Sequence, residues 1–360
     1  MTLLIPTVDP RASRIEISRS ALLDNLDSLR AHLPDSTGIA AVIKANAYGH
    51  GLEVVAKAID THVDYIAVAD PLEALALSDI VETPVLCLGP AYGEVLEACI
   101  DRGVVNAVTH VDQLAGLREG ARVHLLVDTG LHRLGVAPAD APGVAAAIAA
   151  SGAVLEGQFC MVAHADVPDW GSVEAEVAAI ERLALAPVTH TGGSSIALER
   201  TDLVGDLARS GLAVLGYYPS PSQRSIVDLR PCLTWLAPIL ELRDVPAGAR
   251  VGYQGIVLER DTRVATLPVG ASHGLHPTAD SRVGVLVDGV HCPFLCPPSL
   301  DYSLVDVSMV PACTAGSDAT ILGGRYDAPT AVENVAAQLG ILVDHILVAL
   351  SPRIPRYLVP

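Results

Sequence analysis

From Ile39 to about Gly216 the chain alternates short apolar runs with stretches whose apolar residues return every three or four positions. The runs are Ile39–Ile43, Tyr65–Ala69, Pro84–Leu88, Val104–Val108, Val123–Val127, Val154–Val162, Pro187–Thr189 and Leu203–Arg209. Between them lie helical patterns such as Leu52–Ile59 and Val173–Leu185. A strand apolar throughout is covered on both faces, and strands separated by helices pair in parallel. Eight such units in sequence predict a (β/α)8 TIM-like barrel, with an open doubly wound sheet as the alternative. After about Pro238 the pattern changes to short β-rich segments, Arg263–Leu267, Val283–Val287 and Ser303–Val307, punctuated by Gly, Pro and Asp. No long helical pattern occurs until Ala331–Leu347. The class is therefore α/β: a barrel over residues 11–237, then a mostly β C-terminal domain over 238–360, with an N-terminal segment (1–10) expected to pack with the latter.

Composition narrows the function classes. The chain has 360 residues, more than one small core needs, and 51% of them are hydrophobic, which excludes disorder. With 23 Lys and Arg against 41 Asp and Glu, the net charge is −18. No basic footprint exists for nucleic acid or an anionic membrane surface, so neither is expected as a partner. Uncharged stretches such as Ala141–Leu155 carry Gly and Pro and fall short of a bilayer span. The N-terminus has no basic, apolar secretory pattern. Seven cysteines, mostly scattered in apolar strings, read as buried thiols of a reducing compartment. A cytoplasmic protein is expected. His291, Cys292 and Cys296 have a loose ligand-like spacing, but no second cluster accompanies them and no metal site is expected.

Catalytic groups of a barrel belong at the C-terminal ends of its strands. The first strand ends in Ile43-Lys44-Ala45-Asn46-Ala47-Tyr48-Gly49-His50-Gly51, and Lys44 is one of two lysines in the chain. Lys57, the other, falls in a helical pattern and reads as solvated surface. An ammonium after five apolar residues is costly unless it has a task, and a desolvated lysine forms Schiff bases. The spacing equally allows a strand-end lysine that reaches solvent.

AVIKANAYGHG (41–51) resembles the signature of the alanine racemase family, pyridoxal 5'-phosphate enzymes built from a barrel and a β domain. LLVDTGLHRLG (125–135), ARSGLAVLG (208–216), VGYQGIVLERDTRVATLPVG (251–270), LDYSLVDVS (300–308) and RIPR (353–356) resemble further family segments in the same order. The resemblance spans almost the whole chain. It implies that Lys44 holds the cofactor as a Schiff base and that Tyr48 and Ser194, with the N–H groups of Gly211 and Leu212, bind its phosphate. Small residues in the Gly192–Ser195 run suit close approach of an anion, although a plain loop would also explain them. Arg209 would face the pyridine nitrogen and keep it unprotonated. Arg133 would lie near the substrate carboxylate, and Leu300 and Asp301 would line the substrate pocket of a partner subunit in a homodimer. Tyr302, in the same segment, could reach the site or be an ordinary strand residue.

Departures from the family pattern limit the functions that the resemblance implies. Ala271 takes the place of the family's second acid/base, a tyrosine. Two-base racemisation needs one proton-carrying group on each face of the substrate carbon. Met161 stands where a histidine packs on the pyridine ring, Leu126 where many members have a carboxylated lysine, and Gly193 where an Asn precedes the phosphate serine. His273 is the leading substitute acid/base, since it titrates near neutral pH, and His164 is a second. A loop histidine explains each equally. Three functions remain open: a racemase or epimerase acting at an amino acid's α-carbon; a one-base enzyme on the same scaffold (decarboxylation, elimination or replacement, aldol-type cleavage, stereospecific α-proton exchange); and a cofactor-binding protein without turnover.

Overall fold

The computed structural model describes residues 11–163, 169–279 and 282–360. The N-terminal segment 1–10 and the candidate acid/base His164 lie outside the described residues. The described residues divide into two compact units, Arg19–Ala47 with Leu52–Arg230, and 11–18 with Tyr48–Gly51 and Pro231–Pro360.

In chain order the first elements are β1 (Arg14–Ser18), α1 (Arg19–His32), β2 (Gly38–Val42), α2 (Lys44–Tyr48), α3 (Leu52–Ile59), β3 (Tyr65–Val68), α4 (Pro71–Ser78), β4 (Val85–Cys87) and α5 (Gly93–Asp101). They continue with β5 (Val105–Val108), β6 (Arg122–Leu126), α6 (Ala141–Ala150), β7 (Val154–Phe159), α7 (Trp170–Glu181), β8 (Val188–His190), α8 (Ser194–Glu199) and β9 (Leu207–Ser210). All eight barrel strands overlap the apolar runs of the sequence, although the last run, Leu203–Arg209, is strand only from Leu207, Leu203 closing a 3-10 turn (Thr201–Leu203). They pair in parallel in the order β8-β7-β6-β5-β4-β3-β2-β9. Because the last strand lies beside the first, the sheet curls round on itself, which an open doubly wound sheet does not do. No regular ladder joins β8 to β9. Asp206 N–H donates to the Thr189 carbonyl (2.7 Å), Thr191 N–H to Val204 (3.2 Å) and Arg209 N–H to Gly192 (3.1 Å), completing a (β/α)8 barrel.

The buried positions sort into two layers. Val123, Leu125 and Val127 pack outward with Val144 and Ile148 of α6. Ala40, Ala67, Leu86, Ala107, Leu126 and Phe159 face one another inside the barrel. The interior alanines leave room for rings: Phe159 stacks on His190 with centroids 4.7 Å apart, and His124 lies edge-on to Tyr65 at 5.9 Å. Gly157 of β7 is required by the same crowding, since a Cβ there would sit 2.6 Å from His124 Nδ1.

In the other unit β1 runs antiparallel to Leu233–Pro238 and parallel to Arg356–Val359 within a six-stranded sheet. Ile15 and Ile17 are fully buried there. The sequence pattern changes near Pro238, whereas the unit begins at Pro231 and takes in β1. The reason is that the partners of Leu233–Pro238, Arg14–Ser18 and Asp318–Leu322, are remote in sequence and leave no local trace. A three-stranded sheet is built from Glu241–Val245, Thr262–Leu267 and Ser303–Asp306. Tyr48–Gly51 belongs here as well. The Gly49 carbonyl accepts from Arg356 Nη2 (2.8 Å) and Nε (3.2 Å), and a Cβ on Gly49, whose φ is +79°, would overlap the Leu347 carbonyl. All seven cysteines are buried free thiols. Among the described residues no helix is long and apolar enough to cross a membrane.

Gly157→Ala is expected to lower stability by about 1–3 kcal/mol, because the added methyl must displace a packed ring. An unchanged urea midpoint would contradict this packing account.

Candidate active site

Five segments bring chemically capable side chains to the C-terminal ends of barrel strands. Lys44 follows β2, the loop bearing Arg133 follows β6, Met161 follows β7, Ser194 follows β8, and Arg209 lies within β9. Lys44 is half-buried. Beyond it the chain turns left-handed: φ is 54° at Ala45, 57° at Asn46, 53° at Ala47 and 48° at Tyr48. L-residues prefer the right-handed region by about 1–2 kcal/mol each, so surrounding bonds must hold this turn. Glu73 of α4 accepts from Ala45 N–H (3.0 Å) and Asn46 N–H (2.6 Å) with separate oxygens. Asn46 Oδ1 accepts from Leu52 N–H (2.8 Å), and Ala47 N–H donates to the Ile43 carbonyl (2.9 Å).

Arg209 is buried with no carboxylate among its partners. Nη1 donates to the His190 carbonyl and to His190 Nδ1, both at 2.7 Å. Nη2 donates to the carbonyls of Cys160 (2.7 Å) and Thr191 (2.9 Å) and approaches Met161 Sδ (3.5 Å). Burial lowers the guanidinium's pKa to about 10, still cationic near neutral pH. Because Arg209 can only donate, His190 Nδ1 must accept, so His190 carries its proton on Nε2 and donates to His124 Nδ1 (2.8 Å). His124 then carries its proton on Nε2, which is buried without a partner among the described residues. Burial first, then the nearby arginine charges, lowers the His124 pKa to about 4. Burial and Arg209 push His190 well below the usual imidazole value. Both rings are therefore neutral supports for the cation.

Beside Arg209, Ser194 Oγ accepts from the N–H groups of Gly211 (3.0 Å) and Ala213 (3.3 Å). That draws the Gly192–Ser195 turn against the turn after β9 and leaves the hydroxyl hydrogen to be donated elsewhere. Among the described residues, Leu212 N–H and Arg209 Nε–H have no acceptor. Three donors without internal partners thus lie on the elements that follow β8 and form β9. They suit an anionic ligand that brings its own acceptors.

The loop after β6 is fixed by Asp128, whose carboxylate accepts from Gly130 N–H (3.2 Å) and His132 N–H (2.9 Å). Burial opposes ionisation of Asp128, but those bonds hold its pKa below the usual carboxylate value. Glu176 of α7 accepts from Thr129 Oγ1 (3.1 Å) and Ala163 N–H (3.2 Å), tying this loop to the end of β7. Arg133 is exposed. Leu126 faces the barrel interior.

The remaining sequence-predicted residues share one loop cluster of the second unit. Ala271 N–H donates to Ser299 (2.9 Å), Ser272 N–H to Leu300 (2.9 Å), and Ser272 Oγ to Asp301 Oδ1 (2.8 Å). Gly270 is needed because a Cβ would overlap the carbonyls of Ser299 and Leu300. His273 Nδ1 accepts from Gly270 N–H (3.2 Å), so the ring caps its own turn. Burial, then Arg353, lowers its pKa against the opposing pull of Asp301. Leu300 is 71% exposed and Tyr302 53%. Tyr48 is half-buried in the same unit, and burial, then Asp344, pushes its hydroxyl up to about 12. Among the described residues no group of three or more His, Cys, Asp or Glu side chains could hold a metal ion.

Sequence reasoning did not find Glu73, Glu176, His124 or His190. The histidines carried a signal, polar rings within or just after apolar runs. The glutamates carried none, being ordinary helix-surface residues until folding sets them against loops.

Family models describe two parts of this chain, the alanine racemase N-terminal domain at residues 17–219 and the alanine racemase C-terminal domain at 232–358. Alanine racemase of Deinococcus radiodurans is 36% identical over 308 residues, covering 83% of this chain and 86% of that protein. The Sorangium cellulosum alanine racemase is 32% identical over 377 residues, covering 96% and 99%. Among solved structures, alanine racemase from a D-cycloserine-producing Streptomyces lavendulae superposes with a TM-score of 0.89 at 28% identity, covering 98% of each chain. That from E. faecalis gives 0.90 at 26%, covering 97% of this chain and 98% of the other.

His124 titrates near 6.5 in an unfolded chain and at about 4 when folded. Between those values the unfolded chain binds more protons, so stability falls as pH drops through this window. From pH 6.5 to pH 5 the His124 share of the loss is about 1.6 kcal/mol, and His190, also lowered by burial, adds in the same direction. Denaturant midpoints across pH 5–7 should show it, and His124→Phe should make the profile shallower, leaving the His190 share; an equally steep profile in that variant would refute the assignment.

Proposed function

Because the chain belongs to the alanine racemase family, whose cofactor is pyridoxal 5'-phosphate, we propose that it is an isomerase of racemase or epimerase type acting at the α-carbon of an amino acid. The observation that carries this reading is the convergence of Lys44, Ser194 and Arg209 at the ends of β2, β8 and β9, with donors left for a ligand. When bound, pyridoxal 5'-phosphate supplies an electron-withdrawing ring that makes bonds at that carbon labile. Lys44 is the residue to hold it and to move the α-proton. The Ser194 hydroxyl, the Leu212 N–H and the Tyr48 hydroxyl serve the phosphate, whereas the Gly211 N–H, expected from the sequence to do so, is taken by Ser194 Oγ and orients that hydroxyl. Arg209, a cation fixed by four acceptors, directs its remaining Nε–H to the ring nitrogen and disfavours protonation there. Met161 packs beside it. Arg133 serves the substrate carboxylate. Ala271, His273, Leu300 and Asp301 shape the substrate space of a partner subunit, in a homodimer working in the cytoplasm.

A second reading, one-base chemistry on the same scaffold, is favoured by a specific pair of observations. Ala271 carries no proton, and the Nδ1 lone pair of His273 is occupied by the Gly270 amide. A protein that binds the cofactor without turnover is the third reading.

Borohydride treatment of the cofactor-saturated protein should leave a pyridoxyl mass on the peptide containing Lys44, and Lys44→Ala should abolish it. An unmodified peptide would end the whole proposal. In D₂O with single L-amino acids, α-deuterium in both enantiomers is expected; label confined to the starting enantiomer across a broad panel would transfer the assignment to one-base chemistry.

A further inference from the structure

We infer that Glu73 is a positioning residue for Lys44: its carboxylate clamps the left-handed turn that fixes how the lysine leaves the barrel wall. The inference rests on the reading of Lys44 as the functional amine. The first amides of a helical turn of either hand have no acceptor within it, and Glu73 meets the two that follow Lys44 with one oxygen each, Oε2 at 3.0 Å from Ala45 N and Oε1 at 2.6 Å from Asn46 N. A carboxylate is the one protein side chain group that offers two charged acceptors side by side at a spacing matching adjacent amides. None of the three residues from Ala45 to Ala47 is glycine, so the conformation is not the chain's own preference and lasts only while its surroundings impose it.

The clamp is itself anchored. Glu73 lies in the first turn of α4, where Asp70 caps the helix by accepting from Leu72 N–H (2.8 Å) and Pro71 stiffens the start. From the other side, Asn46 Oδ1 accepts from Leu52 N–H at the head of α3. The turn after Lys44 is therefore held between two helix beginnings. With the amides released, the residues after Lys44 relax toward right-handed or extended conformations, and the lysine side chain swings off its direction.

The test uses the full-length protein purified without added cofactor, and compares Glu73→Gln, Glu73→Ala and Glu73→Asp with the parent. Gln keeps one acceptor but turns an NH₂ toward an amide N–H; Asp keeps the charge on a shorter arm. Hydrogen–deuterium exchange at Ala45 and Asn46 should accelerate at least about tenfold in the Gln and Ala variants, the loss of one charge-assisted bond, while strands β5–β7 keep their protection. The rate of borohydride-trapped pyridoxyl labelling at Lys44 on adding pyridoxal 5'-phosphate should fall by a similar factor, with Asp intermediate. Unchanged exchange overturns the clamp. Faster exchange with undiminished labelling overturns the positioning role. A parent protein that never labels at Lys44 defeats the proposed function, yet the exchange arm still reads the clamp. If Gln and Ala unfold the barrel, Asp carries the decision, through partial acceleration confined to the turn or its absence.

Discussion

A permanent cation sealed inside the barrel is the constraint on which the rest of this unit turns. Arg209 is 4% exposed and meets carbonyls, an imidazole nitrogen and a thioether rather than a counter-ion. A buried charge without such partners would be prohibitive, and a buried carboxylate would neutralise it and lock it in place. Neutral acceptors satisfy the donors while leaving a net positive charge. They also leave one N–H uncommitted. The guanidinium further lies over the Phe159 ring, 5.3 Å from its centroid, and that ring stacks on His190.

That choice propagates through the interior. A donor-only side chain dictates the tautomer of His190, and His190 in turn dictates that of His124. Both rings must remain neutral, so desolvation works with the cation rather than against it. Space for two imidazoles comes from small residues on neighbouring strands, Gly157 most directly. Polarity, tautomer and backbone composition are thus one linked arrangement.

Negative charge has been kept at the periphery of this arrangement, where it shapes backbone. Asp128 fixes the loop carrying Arg133, Glu176 ties that loop to the end of β7, and Glu73 holds the turn beyond Lys44. Alanine stands at 271, methionine at 161, and the nearby His273 serves its own turn. Donors without internal partners among the described residues lie at Ser194, Arg209 and Leu212.

The eight barrel strands were legible in the sequence because a strand buried on both faces is apolar throughout, and burial is a local property of composition. Lys44 stood out because a charge after such a run violates that rule, and the ordered motifs from 41 to 356 carried the family. Membership of β1 and Leu233–Pro238 in the second unit was not legible, since their partners are remote in sequence and pairing leaves no periodic mark. Nor were the left-handed run after Lys44, the Glu73 clamp or the tautomer chain from Arg209 to His124. Alanine, asparagine, glutamate and histidine have many ordinary uses. Which one each takes is decided only when tertiary packing sets a donor against an acceptor and removes the water that would otherwise serve both.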